Sequence, residues 1–357
     1  MQKRRSHHTI RDIARLAGVS RSTVSLALND SPRINQETKK HVMAVIEEVG
    51  YRPNHAARNL ASRTSRTILV ILPEMDRAFS DGYFSESLSG ILDAAASHDY
   101  HLLVQSATRL FKRSNRPLEL FRQHTIDAVL SVGNLGSDQY LKELAANGCP
   151  LMLVNSSLPG IASVAGGAAD AGYRAVAHLH SLGHTRIAHI SGNADSWAIS
   201  QRTVGYHKAA KELDLDFEDA LVVRGNGTVR SGAEAMKQLL ARDEMPSAVF
   251  CATDILALGA IQAITEAGLQ VPEDIAVFGG DDANAARFVV PQLSTIQPAM
   301  YTIGEAACEH MIRHLETAEH PLTQVDIKLS LAIRESCGAS MKSREMRSSL
   351  PMMAEAS

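Results

Sequence analysis

Two groups of side chains in this sequence have the types and spacing for molecular recognition. The first is Ser20-Arg21-Ser22-Thr23, with Ser25 a little further on. On a helix, Arg21, Ser22 and Ser25 lie outward near its N-terminal end, with Thr23 beside them. A guanidinium can give a guanine edge two parallel hydrogen bonds, and hydroxyls reach bases or phosphate oxygens. The second group is dispersed. Asn155, the stretch from Asn193 to Gln201 with Trp197, the pair Thr253-Asp254, and Asp281 each follow a short apolar run. Taken singly, each has a plainer use as a helix cap or loop residue, and Asp254 is well placed to cap a helix starting at Ile255. Acid–base chemistry would need Asp281 and Asp282 beside His184 or His189. No nucleophile elbow, metal cluster or phosphate loop accompanies them, so an enzyme is not expected.

The first group needs a helix-turn-helix to present it. Thr9 can cap a helix carrying Asp12 in its first turn, with Ile13, Leu16 and Ala17 on one face. Gly18 stops that helix. Ser20 caps the next, which turns Val24 and Leu28 inward. A third helix follows Asn35, places Val42, Val45, Ile46 and Val49 on one face, and ends at Gly50. The plainer reading is a small helical bundle with a solvated basic face. Pro53 ends any helix before it, and Asn54 can cap a segment, His55 to Ala61, too short to be stable alone.

The second group needs parallel sheets. Strand-like runs at Ile68–Leu72, His101–Gln105, Ala128–Val132, Leu151–Val154, Arg186–Ile190, Ala220–Arg224, Ala248–Cys251 and Ile275–Phe278 alternate with helical stretches at Phe84–Ala96, Ala168–Leu182, Thr203–Leu213 and Ile255–Ala267. This alternation predicts sheets with helices on both faces, and about 270 residues suit two such lobes better than one. Ligands of open α/β sheets sit beyond the carboxyl ends of the strands, so two facing lobes would hold theirs in the cleft between them. No GxGxxG follows the first strand and no GxxxxGK[ST] occurs, which removes the best support for a nucleotide cofactor.

Composition agrees with this division. The 357 residues are 45% apolar with a net charge of −3, so a disordered chain is excluded. The small net charge hides an asymmetry. Residues 1–66 hold 13 Lys and Arg against 5 Asp and Glu, a net of +8, while the remainder holds 23 against 34, a net of −11. A basic head on an acidic body fits a protein whose head alone meets a polyanion. Cys149, Cys251, Cys308 and Cys337 form no CxxC pair or ligand cluster, so no metal site and no cofactor is expected. The basic start leads into no apolar h-region, and the longest strongly apolar run, Ile68–Leu72, is far too short for a bilayer. A soluble cytoplasmic protein, nucleoid-associated and without membrane contact, is expected. A periplasmic solute-binding protein would share the two lobes but not the basic head.

The run Thr9-Ile10-Arg11-Asp12-Ile13-Ala14-Arg15-Leu16-Ala17-Gly18-Val19-Ser20, followed by Ser22-Thr23-Val24-Ser25, resembles the head of the lactose/galactose repressor family (LacI type), as does Ile46-Glu47-Glu48-Val49-Gly50-Tyr51-Arg52-Pro53-Asn54. The resemblance runs from about Thr9 to about Ser336. It implies a small all-α helix-turn-helix domain plus a two-lobed, periplasmic-binding-protein-like α/β sensor with two doubly wound parallel sheets. Residues 1–50 would be the DNA-binding domain and 51–67 a hinge helix and linker. Residues 68–336 would form the sensor and dimerisation domain, with one lobe at about 68–165 and 297–328 and the other at about 166–294 and 329–336. A flexible tail, 337–357, lacks the leucine heptads of a tetramer-forming coil.

The implied DNA-facing set is Thr9, Ser20, Arg21, Ser22, Thr23, Ser25, Leu26, Asn29, Arg33, Asn35, Asn54, Ala57 and Leu60. Leu60 would be a wedge between base steps, with Arg58, Arg63 and Arg66 on phosphates. Leu26 stands where much of the family has Arg, and can only pack against a thymine methyl, so the operator should differ there. Gln201-Arg202-Thr203-Val204-Gly205-Tyr206 resembles the family's effector-holding Arg segment. Gly279-Gly280-Asp281-Asp282 resembles its Gly-aromatic-Asp-Asp, and Thr253-Asp254 followed by Ala257-Leu258-Gly259-Ala260 another pocket wall. The implied effector set is Tyr83, Phe84, Asn155, Trp197, Arg202, Thr253, Asp254 and Asp281. A guanidinium donates and a carboxylate accepts, a pairing suited to neighbouring hydroxyls. This leans toward a sugar over a purine or another small metabolite. Gly227 stands where some sugar-binding relatives carry Trp, so Tyr83, or Trp197 in the loop before Arg202, would supply the stacking face, with core packing the alternative for Phe84 and Trp197. Gly280, in place of a bulky residue, is expected to enlarge or loosen that wall. The partners implied are pseudopalindromic operator DNA, the effector and a second copy of the chain.

Overall fold

The computed structural model describes residues 8–28, 31–51, 64–74, 82–133, 138–317 and 319–339. The chain divides into two compact units, with the boundary between Ser65 and Arg66.

The first unit holds helices α1 (Ile10–Leu16), α2 (Arg21–Leu28) and α3 (Gln36–Glu48). Their ends follow from the caps. The Thr9 N–H donates to the Asp12 carboxylate at 2.9 Å, and the Thr9 hydroxyl oxygen accepts from the Asp12 N–H, a reciprocal capping box. Gly18 takes a left-handed φ of +64° and ends α1. Ser20 Oγ accepts from the Thr23 N–H at 3.1 Å, and Asn35 Oδ1 accepts from the Glu37 N–H at 2.8 Å, opening the next two helices. Ile13, Ala14, Ala17, Val24, Ala27, Ile34, Val42 and Ile46 are the buried core. Leu16, expected inward, is half exposed. The helix turns its Ile13–Ala14–Ala17 face to its neighbours, and Leu16 lies on the flank beyond it.

The second unit is built on two parallel sheets. Strands β1 (Thr67–Pro73), β2 (His101–Ala107), β3 (Ala128–Val132), β4 (Leu151–Val154), β5 (Ala162–Gly166) and β11 (Val325–Ile327) form the larger, in the order β11-β5-β4-β3-β1-β2. Strands β6 (Ile187–Ser191), β7 (Val222–Arg224), β8 (Ala248–Cys251) and β9 (Ala276–Phe278) form the smaller, in the order β7-β6-β8-β9. Each sheet starts one strand in from an edge, places the next strand on that edge and then reverses, which opens a crevice beyond the carboxyl ends of β1 and β3, and of β6 and β8. Strands such as Ala128–Val132 and Ala248–Cys251 are buried along their whole length, as central parallel strands with both faces covered must be. Helices α4 (Gly82–Ser97), α5 (Arg109–Arg113), α6 (Arg116–Arg122), α7 (Gln139–Ala146), α8 (Ala168–Ser181), α9 (Trp197–Glu212), α10 (Val229–Leu240), α11 (Asp254–Glu266) and α12 (Met300–Glu316) complete the unit.

The chain passes between the sheets three times: after β5, after β10 (Thr295–Gln297), and between β11 and β12 (Ser330–Ala332). Strands β10 and β12 pair antiparallel as a small sheet of their own. None of β5, β10, β11 and β12 was expected from the sequence, because segments such as Thr-Ile-Gln and Val-Asp-Ile are too short to carry a periodic signal. The strand expected at Ala220–Arg224 begins only at Val222, since Asp219–Leu221 close a 3-10 turn. Among the described residues no helix is long and apolar enough to cross a membrane.

Candidate effector site and DNA-facing helix

The smaller sheet assembles one polar cluster. Helix α9 begins at Trp197, so that residue opens the helix rather than lying in a loop, and Arg202 follows on the same helix. Arg202 is only 2% exposed. Its Nη1 donates to the Ala252 carbonyl, just beyond β8, and to Asp281 Oδ1, both at 2.7 Å. Its Nε is buried without a partner. Asp281 lies beyond β9, and its backbone N–H donates to Asp254 Oδ1 and to Thr295 Oγ1, each at 3.1 Å.

Asp254 plays a different part from the one expected of it. Thr253 caps α11, its hydroxyl accepting from the Leu256 N–H at 3.3 Å. Asp254 is the first helical residue, and its carboxylate is wholly buried. Oδ1 accepts from the Gly280 N–H at 2.7 Å and the Thr295 hydroxyl at 2.5 Å, while Oδ2 accepts from the Ala283 N–H at 2.8 Å. With its oxygens committed to the 280–283 turn, it holds Asp281 in place from behind the wall. Burial, reinforced by the Asp281 charge, pushes its pKa above the usual carboxylate range.

Gly280 also reads differently in three dimensions. A Cβ there would stand 2.3 Å from the Ala252 carbonyl oxygen and 3.1 Å from Arg202 Nη1. The missing side chain therefore opens no space. It lets the turn lie against the end of β8 with the guanidinium closed over it.

The larger sheet assembles a second cluster. Asn155, just after β4, takes a left-handed φ of +51° and is buried. Its Nδ2 donates to Tyr83 Oη at 2.9 Å and to Met300 Sδ at 3.4 Å, and its Oδ1 accepts from the Gly166 N–H at 3.0 Å. Phe84 packs edge-on against Tyr83 with ring centroids 4.9 Å apart and belongs to the hydrophobic core. Tyr83 and Trp197 are the half-buried aromatics left to offer a ring face.

Sequence reasoning missed the residues that brace this site. Asp282, at φ +45°, is a buried carboxylate. Its Oδ1 accepts from Arg334 Nη2 at 2.5 Å, and its Oδ2 from Arg287 Nη2 at 2.9 Å and Gln297 Nε2 at 3.0 Å. Burial pushes its pKa up, but bonds from Gln297, Arg334 and Arg287 outweigh that and hold it below the usual range. The side chain was visible as the second Asp of a pair; its partners, 15 and 52 residues away, left no mark. The histidines considered for acid–base work serve structure. His189 stacks between Tyr206 and Phe250 with centroids 4.8 and 5.1 Å apart, its nitrogens 2.8 Å from the Phe250 carbonyl and 2.9 Å from Thr203 Oγ1. Burial lowers its pKa to about 4, so the ring is neutral. His184 engages Ser247 Oγ at 3.0 Å.

In the first unit, α2 exposes Arg21 and Ser22 and half-exposes Thr23 and Ser25. Thr9, Ser20, Arg33 and Asn35 are exposed, although Thr9, Ser20 and Asn35 also cap helices. Leu26 packs partly against the unit's own core. Asn29, Asn54, Ala57, Arg58, Leu60 and Arg63 lie outside the described residues. Arg66, expected on a phosphate, instead pairs with Glu316 at 3.0 Å and Asp99 at 3.6 Å and lies over the Tyr100 ring.

Comparison with known proteins agrees with both units. Residues 9–54 match the model of bacterial regulatory proteins of the lacI family, and residues 176–337 that of a periplasmic binding protein-like domain. Catabolite control protein A of Priestia megaterium is 33% identical over 322 residues, covering 89% of this chain and 96% of that protein. The HTH-type transcriptional repressor CytR of Escherichia coli K12 is 34% identical over 309 residues, covering 86% and 89%. Among solved structures, the Lac repressor dimer bound to operator and the anti-inducer ONPF superposes with a TM-score of 0.78 at 26% identity, covering 93% of this chain and 99% of that one. The complex of the transcriptional regulator CelR with cellobiose does so with 0.70 at 26% identity, covering 92% and 100%. A helix-turn-helix head, a body of two parallel sheets and these relatives agree: the chain belongs to the lacI family of DNA-binding transcriptional repressors and is not an enzyme.

Proposed function

We propose that this repressor is a homodimer controlled by an uncharged, hydroxyl-rich effector, a sugar in the first instance, held between its two sheets by Arg202 and Asp281. The observation that carries the reading is the Arg202–Asp281 pair itself. A guanidinium 98% removed from water, with Nε unpartnered and a carboxylate at 2.7 Å, is costly unless something else uses it. Vicinal hydroxyls can accept from the first group and donate to the second. A phosphorylated or carboxylate ligand would instead compete with Asp281 for the same cation. CelR, a similar protein, was solved with cellobiose, which supports a sugar. Tyr83 or Trp197 would supply the stacking face, with Asn155 holding Tyr83 and Thr253 at the rim. Arg21, Ser22, Thr23, Ser25 and Arg33 would meet the operator, with Leu60 in the minor groove.

A second copy is supported by exposed apolar side chains. Phe288 is 83% exposed and Val290 86%, two residues apart in sequence after β9, a placement that water disfavours unless another surface covers it. Half-sites read by one head each then require two.

The test is a thermal-shift panel of neutral mono- and disaccharides, nucleosides, purine bases and sugar phosphates on the wild type and on Asp281→Asn. The variant keeps an acceptor for Arg202 and removes the charge. A neutral sugar that raises the wild-type melting temperature and loses at least tenfold in affinity in the variant supports the reading. A sugar phosphate as the sole hit, or a hit insensitive to the substitution, contradicts it.

A further inference from the structure

The two sheets are joined by three crossings, and two of them meet at a single carboxylate. Gln297 ends β10, where the chain leaves for α12, which packs against β3, β4 and β5 of the larger sheet. Arg334 follows β12, where the chain has come back to the smaller sheet and the Val277 N–H donates to the Ser336 carbonyl. Asp282 accepts from both: Gln297 Nε2 at 3.0 Å and Arg334 Nη2 at 2.5 Å. Arg334 is itself fixed, its Nη1 donating to the Leu293 carbonyl at 2.7 Å and its N–H to Ser294 Oγ at 2.8 Å. The residue before Asp282 is Asp281, which holds Arg202, and Thr295 of the same crossing strand bonds the Asp281 backbone.

We infer that Asp282 is a positioning residue, a latch that ties the outgoing and returning crossings to the Asp281 turn and so sets the angle between the two sheets. Three features support a latch over a local brace. Two of its partners belong to segments whose geometry must change when the sheets move relative to each other. The ion pair is 14% exposed on Arg334 and 7% on Asp282, so water does not screen it away. The Asp282 backbone, left-handed at φ +45°, is itself tied to the outgoing crossing strand, its N–H donating to Thr295 Oγ1 at 3.3 Å. Arg287, the third partner, is five residues on in the same turn and crosses nothing. Closure over any effector would strain the latch or be guided by it, so the inference holds whichever compound fills the cleft.

Pulsed electron–electron distance measurement on the full chain tests this without an effector. The four native cysteines are buried, so spin labels go to Lys142→Cys on α7 and Lys211→Cys on α9, both exposed. With doubly labelled chain diluted into an excess of unlabelled chain, so that a dimer carries one labelled copy, the wild type should give one narrow distance distribution. Asp282→Asn and Arg334→Gln should each broaden it by about twofold, with the double variant no broader than either single, as for one shared interaction. Arg287→Gln should leave the width unchanged. Gln297→Leu approaches the same latch from the other crossing and should broaden it if Asp282→Asn fails to fold. A wild-type width in Arg334→Gln and Gln297→Leu, or equal broadening in Arg287→Gln, overturns the inference.

Discussion

At Gly280 the turn after β9 lies too close to the end of β8 for any side chain. The Ala252 carbonyl and the Arg202 guanidinium occupy the place a Cβ would need. Gly280→Ala should therefore destabilise the body by about 1–3 kcal/mol, the cost of overpacking a filled site, as measured by urea unfolding. An unchanged midpoint would show the turn yielding freely. The same logic separates two substitutions at Asp281. Asp281→Ala strands a buried guanidinium and should cost about 3 kcal/mol, whereas Asp281→Asn should cost clearly less. Arg202, Asp281 and the hydroxyls of α2 were legible because residue type and motif spacing carry them. Ala252 and Thr295 were not, since a backbone carbonyl and a lone threonine have no signature until the strands align. Leu26 can be tested where it stands. Leu26→Arg should add a guanine preference at one operator position in binding-site selection, with the salt dependence of binding otherwise preserved. Selection of the same sequences as the wild type would mean that position does not face a base.

At the scale of elements, the long buried strands were readable to the residue at Ala128–Val132, Leu151–Val154 and Ala248–Cys251, because continuous apolar runs bounded by turns have little else to become. The short crossing strands were unreadable for the converse reason. Three residues of mixed polarity acquire strand geometry only from a partner far along the chain, as Thr295–Gln297 does from Ser330–Ala332. His189 ties α9 to the smaller sheet, and its burial makes a pH prediction. Its pKa is lowered from 6.5 to about 4 in the folded chain, so the unfolded chain takes up the proton first. Its contribution is whole above pH 6.5 and is lost as pH falls toward 4, about 3 kcal/mol in all. His189→Gln should flatten the stability profile relative to wild type across that window, read from urea midpoints at each pH. Parallel profiles for the two proteins would show that the ring titrates normally.

For the whole molecule, the net charge of −3 is the least informative number in the sequence, because a head of +8 and a body of −11 cancel within it. The acidic body disfavours DNA, which leaves the head as the attracting surface. Pairing of Arg66 with Glu316 and Asp99 returns one cation near the boundary to the body. In the proposed homodimer, Phe288 and Val290 would lie in the interface. The double substitution Phe288→Asp, Val290→Asp should turn a sedimenting dimer into a folded monomer, with a cooperative melting transition that no longer depends on protein concentration, and weaken operator binding at least tenfold. A dimer that survives it places the interface elsewhere. The central claim is that two identical basic heads read one operator. Selection by the full chain from a random duplex library at low salt, followed by salt titration of the enriched sequence, tests it most directly. The expected result is enrichment of an inverted repeat, bound with an affinity that falls steeply with salt and at least tenfold weaker in Arg21→Ala. A library that emerges unenriched, or an enriched sequence without inverted symmetry that Arg21→Ala binds equally well, would contradict it.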